Sequence, residues 1–137
     1  MQNYWTSIAK RAAVTLVLAA VGVAAPVVAQ APDLAMLNSL TKGAWTLRIR
    51  DTGAQQRLCL RDGRELIQLE HKQPGCGRFV VTDEPGQVVV QYTCRGNGYG
   101  RTSIRKEGSG LVQVQTQGIH NGTPFSWSAE GRHVGSC

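Results

Sequence analysis

From residue 44 to residue 131 the chain alternates apolar and polar positions, the period of two that is typical of half-buried β-strands. In the first segment Trp45, Leu47 and Ile49 alternate with threonine and arginine. Short runs of Gly, Asp, Asn and Pro separate this segment from similar ones, as turns separate strands. The pattern predicts about seven strands joined as an antiparallel meander. We place them at 44–50, 55–60, 78–82, 87–94, 102–106, 111–117 and 125–131.

A helical spacing of apolar residues precedes the first strand. Leu34, Leu37 and Leu40 lie on one face of a short predicted helix. Asp33 is a suitable N-cap for this helix, and Gly43 is a suitable stop at its C-terminal end. The apolar side of the helix is expected to pack on the sheet.

A second short helix is predicted between the second and third strands. Asp62 and Glu65 have the spacing of a capping box, and apolar residues follow them at 66–69. Pro74 and Gly75 would end this helix, and a further strand is the alternative for the segment. The predicted fold class is therefore mainly β (α+β), with one or two short helices. The sequence does not show whether the two helices pack on the same face of the sheet or on different faces.

The first 29 residues have the pattern of a secretory signal peptide. Basic residues precede an uncharged apolar run, and small residues at its end form a cleavage site after Ala29. The alternatives are cleavage after Ala31, which would leave a proline at the new N-terminus, and an uncleaved membrane anchor. We predict a signal peptide at 1–29 and a single, mostly β domain at 30–137, periplasmic or secreted and without a stable membrane anchor after cleavage.

Four cysteines lie in the predicted domain, and none of them forms a Cys-x-x-Cys pair. An even number of cysteines in an exported domain predicts two disulfides. If the hairpin of the third and fourth strands turns at Pro85, Cys76 faces Cys94 across it. Cys59 is then left to pair with Cys137.

The charge balance does not favour a nucleic-acid partner. The chain has 15 Lys and Arg against nine Asp and Glu. Removal of Lys10 and Arg11 with the signal peptide leaves 13 basic residues against nine acidic ones, a net charge of +4. The arginines are spread along the domain rather than clustered among aromatic residues, so we expect no nucleic-acid binding. A weak affinity for anionic surfaces or polysaccharides is compatible with this charge.

The glycine-rich segment at 96–100 is the most unusual one in the sequence. Arg95 and Arg101 flank it, and Asn97 and Tyr99 lie within it. The backbone N–H groups of a glycine loop, together with flanking arginines, can bind a phosphate, sulfate or carboxylate. These four residues are therefore the candidate ligand-binding site. The alternative is a connection whose glycines only provide positive φ angles, since a strand rather than a helix follows them.

No catalytic or metal centre is evident in the sequence. His71 is expected at the end of the second helix, His120 before a turn and His133 in the last strand. General-base or metal chemistry would require these histidines to converge with carboxylates. The serines lack the Gly-x-Ser-x-Gly motif, and the even cysteine count argues against a nucleophilic cysteine. We expect no metal and no cofactor, and an enzyme is the less favoured class.

The aromatic residues are expected to contribute mainly to the core. Trp45 and Phe79 are predicted core residues. Phe125 and Trp127 share one face of their strand because they are two residues apart. They either complete the core, which we favour, or line an apolar cleft at the sheet.

The order of these motifs resembles a family of small exported bacterial proteins of unknown function. The resemblance covers residues 33 to 137 and includes the cysteine frame. It implies export and disulfides, and it supplies no activity, ligand or catalytic residue. The motifs that carry it are Gly43-Ala44-Trp45, Leu58-Cys59-Leu60, Leu66-Ile67-Gln68-Leu69, Cys76, Tyr92-Thr93-Cys94, Gly98-Tyr99-Gly100 and Val134-Gly135-Ser136-Cys137.

Three functions are compatible with the sequence. The leading hypothesis is a non-enzymatic binding or envelope-accessory domain that holds a ligand or an envelope protein on one sheet face and the glycine loop. An enzyme that acts on an envelope substrate would place a histidine within reach of Asp, Glu or Ser in a cleft. A structural interaction module would instead expose an apolar patch or an edge strand.

Overall fold

The computed structural model describes residues 33–137, and they confirm the mainly β fold class. The predicted signal peptide lies outside the described residues, as does the beginning of the predicted domain. No helix in 33–137 is long and apolar enough to cross a membrane. The seven strands are β1 Gly43–Ile49, β2 Gln55–Leu60, β3 Gly77–Glu84, β4 Gln87–Cys94, β5 Gly98–Gly108, β6 Leu111–His120 and β7 Thr123–Gly135.

All seven strands form one antiparallel sheet in the order β2-β1-β7-β6-β5-β4-β3. Strands β3 to β7 follow one another as a meander, as the alternation predicts. The β1–β2 hairpin then joins the sheet through β7. Strands β2 and β3 are consequently the two edges.

The core lies on one face of the sheet. Alternate residues of each strand point to this face because side chains alternate along a strand. One row of buried side chains crosses four strands, from Val88 to Ile104, Val114 and Ala129, each paired with the next. All four residues are fully buried. The buried residues of the sheet in this core are Trp45, Leu47, Leu60, Val88, Val90, Tyr92, Cys94, Ile104, Val112, Val114 and Ala129.

Two short segments cover this face. The α-helix α1, Ala35–Asn38, and its flanks contribute Leu34, Met36, Leu37 and Leu40 to the core. Segment 61–76 contributes Leu66 and Ile67, both fully buried. These side chains belong to the same cluster as the sheet residues. Both predicted helical segments therefore pack on the same face of the sheet.

The first helix is shorter than predicted, and Asp33 does not cap it. Leu34 precedes the helix with φ 52° and ψ 43°, and no side chain caps it. The N–H of Leu34 instead donates to Oδ2 of Asp83 on β3 at 3.2 Å. Gly43 begins β1 rather than ending the helix. A contact with the sheet has thus replaced the local cap.

The second predicted helix is a single 3-10 turn, Arg64–Leu66. Its acidic residues bind the main chain much as capping residues do: Asp62 accepts from the N–H of Arg64 at 3.0 Å, and Glu65 accepts from the N–H of Arg61 at 3.1 Å. The first of these bonds lowers the pKa of Asp62. The expectation of a helix that continues to Pro74 was wrong.

The side chain of Gln68 explains why segment 61–76 leaves the helical path. Its Nε2 donates to the carbonyl oxygens of His71 at 2.7 Å and Gln73 at 2.8 Å. These bonds satisfy two main-chain acceptors of the segment with a side-chain donor. The segment is therefore held as a loop by a side-chain amide.

The structure contains both predicted disulfides. Cys76 and Cys94 have Cα atoms 4.4 Å apart, and Cys59 and Cys137 have Cα atoms 5.9 Å apart. The register of the β3–β4 hairpin agrees with the prediction from its centre to the disulfide, and it shifts by one residue at a bulge near the turn. The bridges attach segment 61–76 to β4 and the C-terminus to β2.

Phe79 is not a core residue, contrary to the sequence-based expectation. Its side chain is 69% exposed on edge strand β3. It pairs with Gln91, whereas Val80 pairs with the buried Val90. Because neighbouring residues of a strand point to opposite faces, the packing of Val80 on the core directs Phe79 to the other face.

The glycine-rich segment is mostly strand. Residues 98–100 begin β5, and only 95–97 form the turn after β4. A Cβ on Gly118 of β6 would be 2.0 Å from the carbonyl oxygen of Tyr99, and a Cβ on Gly100 would be 2.4 Å from the hydroxyl of Tyr92. These glycines are required because neighbouring main chain and the Tyr92 ring occupy the space of a side chain.

We expect Gly118→Ala to destabilise the fold by about 1–3 kcal/mol or more, because its Cβ meets backbone that cannot move independently. Gly108→Ala is the matched control, since nothing lies within 4 Å of a Cβ at that strand position. Urea unfolding followed by tryptophan fluorescence measures both. Equal stability of the two variants would contradict the close approach of β5 and β6.

Candidate functional site

The face of the sheet opposite the core, which we call the polar face, is lined mainly by amide, hydroxyl and guanidinium groups. Its residues form rows across the strands, because each pairs with one on the neighbouring strand. One row consists of Ser128, Gln115, Ser103 and Val89. The rows on either side consist of Ser126, Gln117, Arg101 and Gln91, and of Arg48, Glu130, Gln113, Arg105 and Gln87.

Two adjoining grooves run across this face. Ser103, Gln115 and Ser128 line both of them, so the grooves are continuous. The first has a volume of about 340 Å³ and the second about 220 Å³. The first is also lined by Asp51, Arg101, Thr116, Gln117, Ser126 and Trp127, and the second by Arg50, Gln87, Arg105, Gln113 and Val114.

Hydrogen bonds order one side of the second groove. Gln113 donates through Nε2 to Glu107 at 3.1 Å and to Glu130 at 3.4 Å, and its Oε1 accepts from Arg50. Glu130 also accepts from Arg132 at 2.6 Å. The bonds from Arg132 and Gln113 lower the pKa of Glu130. This carboxylate is therefore charged and engaged with neighbouring residues of the protein.

Three arginines on the polar face, Arg48, Arg57 and Arg101, lack such partners in residues 33–137, and Arg57 lies on edge strand β2 outside the grooves. Arg105 pairs with Glu107 at 3.1 Å and Arg132 pairs with Glu130, whereas the guanidinium groups of Arg48 and Arg101 make no hydrogen bond or ion pair with residues 33–137. Both side chains are exposed. They are available to an anionic ligand without the loss of an existing ion pair.

The structure divides the four predicted ligand-binding residues between two places. Tyr99 and Arg101 point to the polar face, where Tyr99 is 49% exposed. Arg95 and Asn97 lie in the turn before β5. At about 3.4 Å per residue, Arg101 is about 10 Å along the strand from Gly98. The two arginines therefore do not flank one compact loop.

Asn97 is already bonded within the protein. Its N–H donates to the carbonyl oxygen of Cys94 at 3.0 Å, and its side-chain amide donates to Oε1 of Gln73 at 2.7 Å. Its carbonyl oxygen accepts from the N–H of Asn121 at 3.0 Å. The turn is thus fastened to its surroundings. Ligand binding by the four residues stays a prediction, and we assign more weight to the sheet face that retains Tyr99 and Arg101.

His71 forms a second polar cluster, buried between segment 61–76 and the core face. It is 1% exposed, and both ring nitrogens have partners. Nε2 lies 3.2 Å from the carbonyl oxygen of Asn97 and 3.1 Å from that of Ile119, so Nε2 carries a hydrogen. Nδ1 lies 3.0 Å from the hydroxyl of Tyr92 and accepts its hydrogen in the neutral ring. One side chain thereby connects the loop to three parts of the sheet.

Burial of the Tyr92 hydroxyl raises its pKa to about 12. The negative charge of Glu70 also raises it, and the nearby hydroxyl of Thr116 lowers it. Thr102 continues the polar contacts of this face, with its hydroxyl 2.9 Å from that of Thr116 and donating to the carbonyl oxygen of Ile67 at 2.7 Å. Segment 61–76 is thus held by hydroxyl groups as well as by His71.

His120 and Glu70 form a partly exposed pair beside this cluster. Nδ1 of His120 is 3.5 Å from Oε1 of Glu70, and Nε1 of Trp127 donates to Oε2 at 3.2 Å. The rings of His120 and Phe125 lie 4.7 Å and 5.9 Å from that of His71. The predicted histidines thus converge in part.

His133 lies elsewhere, beside Trp45, with ring centroids 6.0 Å apart. No group of three or more His, Cys, Asp or Glu side chains in the described part of the chain could hold a metal ion.

The sequence analysis did not predict the rows of the polar face as a site, although the period of two that produces them is visible in the sequence. Gln113, Gln115 and Gln117 recur with period two, as do Ser126 and Ser128. Such residues are the usual solvent side of a one-sided antiparallel sheet. Only the strand order shows that they adjoin Arg48 and Arg101 in one surface.

Comparison with known proteins provides no information about the function of this chain. No family model, no curated protein and no solved structure matches the chain. The resemblance to an exported bacterial family therefore remains a prediction from the motifs.

We expect Tyr92→Phe to destabilise the protein by about 1–3 kcal/mol, because Nδ1 of His71 would lose its partner in a buried position. Tyr99→Phe is the matched control, and its exposed position predicts a change within about 0.5 kcal/mol. Urea unfolding measures both. A Tyr92→Phe protein as stable as the control would show that the His71–Tyr92 bond does not hold the loop.

Tyr92 also predicts a stability change at alkaline pH. Its pKa rises from an ordinary value of 10.0 to about 12 on folding, so its contribution is complete below pH 10 and is lost as the pH rises toward 12. The free energy of unfolding should fall more steeply in this interval for the wild type than for Tyr92→Phe. Parallel curves for the two proteins would contradict the raised pKa.

Proposed function

We propose that this protein is a periplasmic or secreted, non-enzymatic binding domain that holds a polar ligand on the polar face of its sheet. The observation that carries the proposal is the continuous groove across β5, β6 and β7, lined by hydroxyl and amide side chains. These groups can exchange their bonds to water for bonds to a polar ligand. The signal-like N-terminus and the two disulfides support the proposed location.

An enzyme is the second candidate, favoured by the pair of His120 and Glu70. A carboxylate that orients a histidine is a common arrangement for a general base. However, neither side chain lines the grooves of the polar face. An envelope-acting enzyme requires a histidine near an acid and a cleft that contains them. The pair provides the histidine and the acid, but the binding groove lies on the other side of the sheet.

A structural interaction module is the third candidate. Edge strand β3 exposes Phe79 and Val81, and an edge with exposed apolar residues can pair with another strand. A bulge between Val80 and Thr82 interrupts this edge, which disfavours regular strand addition. We therefore place the binding function on the polar face.

The test is to map which amides of the labelled, disulfide-bonded protein shift in NMR spectra on addition of an envelope extract from Gram-negative bacteria. We expect the shifts at Ser103, Gln115 and Ser128. Gln115→Trp should block them by filling the groove. Gln55→Trp is the matched control, because Gln55 is exposed on the same face but outside the groove.

Other results would replace the proposal. Shifts around His120 and Glu70, together with chemical change of the extract seen by mass spectrometry, would indicate an enzyme. Shifts confined to β3 would indicate an interaction module. Shifts that persist in Gln115→Trp would place the ligand outside the groove.

A further inference from the structure

We propose that the ligand of the polar face is an acidic polysaccharide that crosses strands β5, β6, β7 and β1. This inference rests on the proposed function and adds the chemical class of the ligand. Its basis is charge complementarity, because Arg48 and Arg101 are exposed and unpartnered within residues 33–137, and the grooves are lined by amide and hydroxyl groups with more basic residues, Arg50 and Arg105, than acidic ones, Asp51.

The positions of the two arginines indicate an elongated ligand. Arg48 lies on β1 and Arg101 on β5, three strands apart in the sheet. Arg101 is also four residues along β5 from Arg105, which belongs to the same row as Arg48. With about 4.8 Å between strands and about 3.4 Å per residue, the two Cα atoms are about 20 Å apart. A single small anion could contact only one of them, whereas a chain of sugar units could contact both.

The side chains between the arginines suit sugar units. Ser103, Gln115 and Ser128 offer donors and acceptors that match hydroxyl groups, and guanidinium groups bind carboxylates or sulfates in a bidentate manner. Tyr99 is half exposed two residues from Arg101 on the same face. Its ring offers an apolar surface with a polar end for a sugar ring to pack against.

Two other polyanions fit the face less well. Single-stranded nucleic acid is bound by series of aromatic side chains that stack with successive bases, whereas the exposed aromatic residues of this face, Tyr99 on β5 and Phe79 on β3, are separated by strand β4 and form no series along the grooves. A membrane surface is bound by clustered basic residues with apolar neighbours. Here Arg48 and Arg101 are far apart, and amides, hydroxyl groups and the already paired Glu130 and Arg105 lie between them.

The experiment measures binding of the full disulfide-bonded protein to polygalacturonate by isothermal titration calorimetry at low and physiological salt. We expect binding that weakens with salt, because the contacts are exposed charges. The double variant Arg48→Gln/Arg101→Gln should bind about tenfold more weakly. The matched control is Lys72→Gln/Arg78→Gln, which removes two exposed basic residues on the opposite side of the sheet and should bind like the wild type.

Dextran, single-stranded DNA and phosphatidylglycerol vesicles are the comparison probes. Equal binding of dextran would overturn the acidic requirement, and tighter binding of DNA or vesicles would overturn the ligand class. An equal loss in both double variants would show that net charge, not the groove, determines binding. If no polysaccharide binds but Gln115→Trp still blocks an envelope component, the ligand class is wrong and the proposed function stands. If Gln115→Trp blocks nothing, the proposed function fails as well.

Discussion

The fold depends on covering one apolar face of a single sheet with very few residues. Strands supply a row of buried apolar side chains, but within residues 33–137 only the four-residue helix α1 with its flanks and the loop 61–76 shield them from water. Such short segments have little helical stability of their own. Contacts to the sheet hold them instead: Asp83 binds the main chain before α1, and His71 and the Cys76–Cys94 disulfide attach the loop to β4. Gln68 adds a bond within the loop.

His71 is the most connected part of this cover. Its ring hydrogen-bonds the hydroxyl of Tyr92 and two carbonyl oxygens at the ends of β5 and β6. Gly98 and Gly100 leave the space that these two rings occupy against the sheet. The glycine-rich segment therefore has a structural role on the core face, while Tyr99 and Arg101, which alternate with those glycines, project to the polar face.

The architecture also accounts for the candidate site. Because both covering segments pack on one face, the opposite face remains open along most strands. Its grooves are polar, and the arginines at its two sides differ in their environment. Arg132 and Arg105 have carboxylate partners, but Arg48 and Arg101 do not. Exposed ion pairs contribute little to stability, so the unpaired arginines impose no structural cost and leave charge available for binding.

The alternation of residues was sufficient to predict the strands, and hairpin geometry was sufficient to predict the disulfide pairing. The helices were not predictable in detail. Asp33, Asp62 and Glu65 have the sequence positions of helix caps, but Asp83 on β3 binds the main chain before the first helix, and the Gln68 side chain bonds the main chain of the second segment as a loop.

The candidate site was not predictable in detail either, because it depends on contacts between residues that are far apart in the chain. The contact between His71 and Tyr92 joins a loop to a strand 21 residues away. The arrangement of Arg48 beside the glutamine rows depends on the pairing of β1 with β7. Neither relation is visible in local sequence.

A crystal structure with a galacturonate oligosaccharide tests the central claim most directly. The account predicts the oligosaccharide across β5, β6 and β7 on the polar face, with carboxylates at Arg101 and Arg48 and hydroxyl groups at Gln115. An oligosaccharide bound at the 95–97 turn, or beside His120 and Glu70, would contradict it.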